Sequence, residues 1–282
     1  RQCRGCLVSG FMVDQYAVIG NPIRHSKSPF IHAVFAESTG QRLEYGALEA
    51  SVGAFAAAVD GFRARGGRGL NITTPFKLDA FGYATVLHER ARSAGAVNCL
   101  KFEGDRVEAD NFDGVGLLRD ITDNLAAPVA GRTILILGAG GAARGALQPF
   151  AAAKPARLVV ANRTGEKAGG LAAAYPGVEA CDLTELERLG RFDIVINATS
   201  ASLLGDRLEI PAAVFGLGCL SYDMTYGKGM TPFLRTAQQA GVERLHDGVG
   251  MLAEQAAEAF SWWRGVRPDT RRVIEQLTVK LA

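Results

Sequence analysis

The sequence predicts an α/β protein of two domains, the second of them a doubly wound parallel sheet. Three observations carry that prediction. Short aliphatic runs alternate with helical stretches along nearly the whole chain, the pattern of strands buried on both faces. One of these runs, residues 134–137, breaks into the glycine-rich turn GAGGAARG. The 282 residues exceed one typical domain, and a hydrophobic content of 48% is ample for two cores.

In the first half, residues 16–20 (YAVIG) read as a buried strand ended by a turn at Asn21-Pro22, with a helix following Pro29. Residues 43–48 have strand character, and 52–65 have helical spacing with phenylalanines at 55 and 62. A third strand over 69–73 stops before Pro75, a residue suited to the first turn of the next helix. Residues 96–109 alternate as a hairpin that turns at Glu103-Gly104-Asp105.

A helix from Asp113 runs to about residue 125, and the Ala/Pro/Gly segment 126–131 reads as a linker. Strands then fall at 133–137, 157–161, 192–197 and 218–222, with a last one at 242–245. Asp247 is placed to cap a final helix, in which Val249, Leu252, Ala253, Ala256 and Phe260 recur at helical spacing.

Composition excludes several classes of function. A net charge of +2 with no basic run argues against nucleic acid, and no apolar stretch is long enough to span a membrane. Five scattered cysteines (Cys3, Cys6, Cys99, Cys181, Cys219) point to a reducing compartment, the cytoplasm. Cys3 and Cys6 lack the second pair that a zinc site needs, so no metal is expected. Residues before Met12 carry no periodicity and no signal-peptide core; they read as an extension or a cloning remnant.

The turn after residue 137 has its glycines where a nucleotide fold needs them. Gly138, Gly140 and Ala143 match G-x-G-x-x-G/A, the dinucleotide fingerprint of a Rossmann-type fold. There the free backbone N–H groups and the positive end of the next helix are aimed at one point, where a phosphate can sit. Alone, such a turn fits any tight strand-to-helix crossing. The following strand, RLVVA, supplies the second signal, because it ends in Asn162-Arg163-Thr164 instead of the carboxylate that would hold an NAD ribose. A guanidinium pairs with a 2′-phosphate, Lys167 adds a second positive charge one turn on, and the cofactor is expected to be NADP.

In the first domain, Ser26, Ser28, Asn71, Thr73, Asn98 and Asp113 all fall at strand ends. Singly, the serines would be helix caps. Together they form a hydroxyl- and amide-rich edge suited to a small polyhydroxylated substrate, each of whose hydroxyls needs a partner once buried. Lys77 and Asp113 approach the same edge. Most such pairs are surface ion pairs of little worth, but beside a nicotinamide site an ammonium oriented by a carboxylate can pass a proton while a hydride moves.

In combination, GNPIRHSKSP, LNITTPFK, GAVNCL, DNFDGVG, GAGGAARG, ANRT, NATSASL, YDMTYGKGMTPFL and DGVGMLAEQA resemble the shikimate dehydrogenase family from about Tyr16 to Leu277. The resemblance implies NADP-dependent, reversible reduction of 3-dehydroshikimate to shikimate in aromatic amino-acid biosynthesis. It also implies an extension at 1–13, a substrate-binding and catalytic domain at 14–115, a nucleotide domain at 116–247, and C-terminal helices at 248–282 that return to the first domain. Carried over by motif, Lys77 and Asp113 are the catalytic pair, Ser26 and Ser28 hold the substrate carboxylate, and Asn71, Thr73, Asn98, Gln255 and Tyr222 its hydroxyls. By the same resemblance Gly138, Ala139, Gly140, Gly141 and Ala142 cradle the pyrophosphate, Leu220, Gly248 and Met251 lie near the nicotinamide, and Glu89 matches a position linked to the cofactor. Phe112 departs from the family's usual threonine, and Lys167 from a frequent arginine. A quinate-using relative and a silent ligand sensor on the same scaffold are the alternative readings, and the assembly expected is a monomer or homodimer.

Overall fold

The structure is a computed structural model and describes residues 13–201, 208–227 and 229–281. Cys3, Cys6 and Met12 lie outside the described residues.

The first half runs β1 (Asp14–Gly20), α1 (Ser28–Thr39), β2 (Leu43–Glu49), α2 (Phe55–Ala64), β3 (Gly67–Ile72), α3 (Lys77–Tyr83), β4 (Val86–Leu87), α4 (Glu89–Ala94), β5 (Cys99–Glu103) and β6 (Arg106–Asp110). These strands make a mixed sheet ordered β2-β1-β3-β5-β6-β4. β1 lies parallel to β2 and β3, and the β5–β6 hairpin turns at Gly104-Asp105, as its alternation predicts. Helix α2 starts later than its spacing suggests, because Gly53 takes a left-handed turn (φ +85°) ahead of it. Helix α3 starts at Lys77, two residues beyond the expected Pro75. The Thr74-Pro75 bond is cis, and the Phe76 N–H closes a turn onto the Thr73 carbonyl at 3.0 Å.

The second half opens with α5 (Asp113–Arg119), which passes into one π-helical turn at Asp120–Asn124. There follow β7 (Thr133–Leu137), α6 (Gly141–Ala152), β8 (Arg157–Asn162), α7 (Gly165–Ala172), β9 (Val178–Asp182), β10 (Phe192–Asn197), β11 (Phe215–Asp223), α8 (Pro232–Gln239) and β12 (Arg244–His246). The sheet is parallel throughout, ordered β12-β11-β10-β7-β8-β9. The chain winds outward in both directions from β7, so a crevice opens between the ends of β7 and β10, where dinucleotides bind in such sheets. β7 shows why the sequence demands this place. Ile134 and Ile136 enter one core, Leu135 and Leu137 the other, and all four are wholly buried, each such burial being worth roughly 1.5–3 kcal/mol. β9 (VEACD) is an edge strand with no apolar run to announce it.

The last two helices are α9 (Val249–Arg264) and α10 (Arg271–Leu277). Ala253, Ala256, Ala257 and Phe260 of α9 share a core with Ile31, Val34 and Phe35 of α1, so the chain's end packs against its beginning. Asp247 accepts from the Val249 N–H (3.2 Å), although Gly248 is the residue at the cap itself. Helix α5 lies between α6 and α9. A Cβ on Gly114 would stand 2.0 Å from the Gly145 carbonyl oxygen, and one on Gly116 would stand 2.7 Å from the Gln255 nitrogen. Backbone contact that close leaves no room for side chains, and it sets Asp113, the glycine-rich turn and Gln255 around one point.

Candidate active site

A cleft of about 830 Å³ opens between the two sheets, a volume that suits a cofactor with a small substrate. From the first sheet it is lined by Ser28, Asn71, Thr73, Lys77, Asn98 and Asp113. From the second it is lined by Gly138, Ala139, Gly140, Gly141, Ala142 and Asn162, with Gly248, Met251 and Gln255 of the α9 region between them. Residues predicted for two separate tasks therefore share one space.

Asp113 is the first residue of α5, held there by an Asx turn in which its N–H donates to Asn111 Oδ1 (3.0 Å). Its Oδ2 accepts from Lys77 Nζ at 2.5 Å, and its Oδ1 from Asn98 Nδ2 at 2.8 Å. Asn98 is oriented in turn: its Oδ1 takes the Phe112 N–H (2.9 Å), which leaves Nδ2 to face Asp113 and Gln255 Oε1. The Phe112 ring, in place of threonine, is buried against the Arg90 guanidinium and the edge of Trp262. It alters packing behind Asp113 and leaves the backbone N–H that Asn98 needs.

Gly138 carries φ +111°, and a Cβ there would stand 3.1 Å from the Ala198 carbonyl oxygen at the end of β10, so this crossing favours glycine. A Cβ on Gly140 or Gly141 would meet open space, which leaves the N-terminal end of α6 bare to the cleft. Such an end suits a pyrophosphate. Arg163 continues β8 into an adjoining hollow beside Asn162, Thr199 and Ser200, and it is exposed with no ion pair among the described residues. Thr164 sits on the same exposed turn, closed by Asn162 Nδ2 donating to the Thr164 carbonyl (3.1 Å), and Lys167 is exposed in the first turn of α7 that follows.

Three expectations are corrected. Tyr222 and Leu220 are fully buried in the core of the second domain. The Tyr222 hydroxyl donates to Asp120 Oδ2 (2.7 Å) and accepts the Met251 N–H (3.2 Å), so it has nothing left for a substrate. Strand β11 continues to Asp223, and only residues past its end reach the cleft. There Tyr226, four residues on in the same motif, lines the wall, and its phenol is pushed up by burial and by the nearby Asp113 carboxylate. Glu89 is exposed on α4, outside the cleft. Ser26 stands on the turn before α1, where its hydroxyl oxygen accepts the Ser28 N–H (3.3 Å) and keeps its own proton to donate. His25, beside that turn, also lines the cleft, and nothing in its local spacing singles it out in the sequence.

Comparison with known proteins agrees with this layout. Residues 18–100 match the model of the shikimate dehydrogenase substrate binding domain, 120–205 that of shikimate / quinate 5-dehydrogenase, and 248–278 that of the shikimate 5′-dehydrogenase C-terminal domain. The shikimate dehydrogenase (NADP(+)) of Chromobacterium violaceum is 56% identical over 96% of this chain and all of its own. The chain belongs to the shikimate dehydrogenase family. Among solved structures of similar proteins, an Ael1 enzyme from Pseudomonas putida superposes with a TM-score of 0.92 at 56% identity, over 95% of this chain and 100% of its own. A shikimate 5-dehydrogenase from Thermus thermophilus, solved with NADP(H) and shikimate, gives 0.81 at 32% identity, over 93% and 97%. Shikimate dehydrogenase family membership accounts for the sheet pair and the cleft between them. Among the described residues no helix is long and apolar enough to cross a membrane.

Proposed function

We propose that this chain catalyses the NADP-dependent, reversible reduction of 3-dehydroshikimate to shikimate, the reaction of aromatic amino-acid biosynthesis. One observation carries the reading: the Lys77–Asp113 pair and the glycine-rich turn of β7 line one cleft. The proposal assigns 14–115 to substrate and catalysis, 116–247 to cofactor, and 248–282 to helices that return to the first domain.

The residues present fit NADP. Gly138 to Ala142 would hold the pyrophosphate, Asn162, Arg163, Thr164 and Lys167 the 2′-phosphate, and Gly248 and Met251 the nicotinamide end. When bound, the reduced nicotinamide supplies the hydride. Lys77 then donates a proton from Nζ to the forming alkoxide, and in the oxidative direction it withdraws the hydroxyl proton. Asp113 fixes Nζ through its 2.5 Å contact, and Asn98 fixes Asp113. Ser26 and Ser28 bind the substrate carboxylate; Asn71, Thr73, Gln255 and Tyr226 bind ring oxygens. A sensor would have no use for a proton-transfer pair ordered in this way. The test compares kcat/KM for shikimate and quinate with NADP+ and NAD+. The highest value is expected for shikimate with NADP+, and a preference for quinate or NAD+ would overturn the assignment.

A further inference from the structure

Behind the substrate wall lies a set of rings that the reaction itself does not use. His32 of α1 is fully buried and stacks on Tyr45 of β2, with centroids 4.1 Å apart and planes 5° apart. Phe35, Phe260 and Trp263 pack around His32. The Tyr45 hydroxyl donates to Asn71 Oδ1 at 2.6 Å, and His32 Nε2 meets the same oxygen at 3.1 Å.

The polarity of this cluster follows from the placement of the Asn71 amide, whose Oδ1 faces Tyr45 and His32. Asn71 Oδ1 already takes a proton from Tyr45, so a second partner on that oxygen must also be a donor, and His32 must carry its proton on Nε2. Burial holds the imidazole neutral, lowering its pKa to about 3, which leaves one ring proton to give. His32 Nδ1 is buried with no partner, as the proton-free nitrogen of that tautomer. The amide oxygen of Asn71 is thereby committed to the protein. Its Nδ2 is also buried without a partner, on a residue that lines the cleft. An orphaned buried donor is costly, and such groups in native structures call for an explanation. A ligand oxygen supplies one.

We propose that Tyr45 and His32 are positioning residues that hold the Asn71 amide with its NH2 toward the substrate, so that this site recognises a ring oxygen as acceptor. The inference rests on the proposed function and adds to it the direction of the hydrogen bond and the two residues that impose it. Both act from behind the wall. Tyr45 lies one strand beyond β1, and His32 comes from the helix covering the sheet, so neither needs to touch the substrate.

The test is steady-state oxidation of shikimate by wild type, Tyr45→Phe, Asn71→Ala and the double variant. Tyr45→Phe keeps the ring stack and removes only the hydroxyl. It is expected to raise KM for shikimate about tenfold, with kcat and KM for NADP+ changed less than about threefold. Asn71→Ala is expected to raise KM at least as far, and the double variant to match Asn71→Ala, because the two residues act through one hydrogen bond. An unchanged KM in Tyr45→Phe, equal losses in kcat and both KM values, or effects that multiply in the double variant would each overturn the positioning role. A wild type that does not turn over shikimate would overturn the function and this inference together, whereas an active wild type with multiplicative variants would overturn this inference alone.

Discussion

Lys77 Nζ lies 2.5 Å from Asp113 Oδ2, although each residue opens a different helix and they stand 36 positions apart. Both helices begin at the edge of the first sheet that faces the glycine-rich turn. The contact is partly shielded, with the lysine side chain 35% and the aspartate 16% exposed, so Nζ can still reach a ligand.

Replacement of Lys77 by alanine should lower kcat by roughly 10²- to 10⁴-fold, the usual span for a lost acid–base group. Shikimate should still bind, since Ser28, Asn71 and Gln255 remain. Titration calorimetry beside steady-state kinetics separates the two quantities, and near-normal turnover would remove Lys77 from the proton path.

Arg163 makes no ion pair among the described residues and stands beside Asn162 at the end of β8. Arg163→Ala should raise KM for NADP+ by about tenfold or more and leave that for NAD+ nearly unchanged, since only the former offers a 2′-phosphate to a guanidinium. Equal effects on both cofactors would exclude the assignment.

Tyr222 and Tyr226 stand in one motif with opposite expectations. Tyr222→Phe removes a donor from the buried Asp120 carboxylate and should cost about 1–3 kcal/mol of stability with little change in KM for shikimate. Tyr226→Phe should raise that KM and spare stability. Urea unfolding and kinetics on the two variants decide the matter, and the reverse pattern would restore Tyr222 to the site.

These two tyrosines show what the sequence conveys and what it does not. The glycine turn, the aliphatic strands and the Asn162-Arg163-Thr164 terminus are legible because each is a local pattern with a local cause. The motif around Tyr222 is legible as a site, but which tyrosine faces it depends on β11 running on to Asp223. The start of α3 depends on the turn that Phe76 closes onto Thr73, which no spacing of apolar residues marks. The His32–Tyr45–Asn71 cluster is not legible at all: it joins a helix and two strands that are not neighbours, and no spacing announces a stack built by tertiary packing.

His32 has a folded pKa of about 3, far below its ordinary 6.5, because burial penalises its charged form. The unfolded chain therefore takes up the proton first, and the contribution to stability is complete above pH 6.5 and lost as pH falls toward 3. From His32 alone the loss between pH 7 and pH 5 should be about 2 kcal/mol. Urea midpoints for wild type and His32→Gln at both pH values give the difference, and parallel losses would show that His32 does not titrate in this way.

The most direct test of the whole account is to incubate the wild-type chain with shikimate and NADP+, follow the reduced-nicotinamide absorbance, and quantify the organic product by mass spectrometry. One 3-dehydroshikimate per NADPH is the predicted result. No absorbance change, or a reduced cofactor with shikimate left intact, would contradict it.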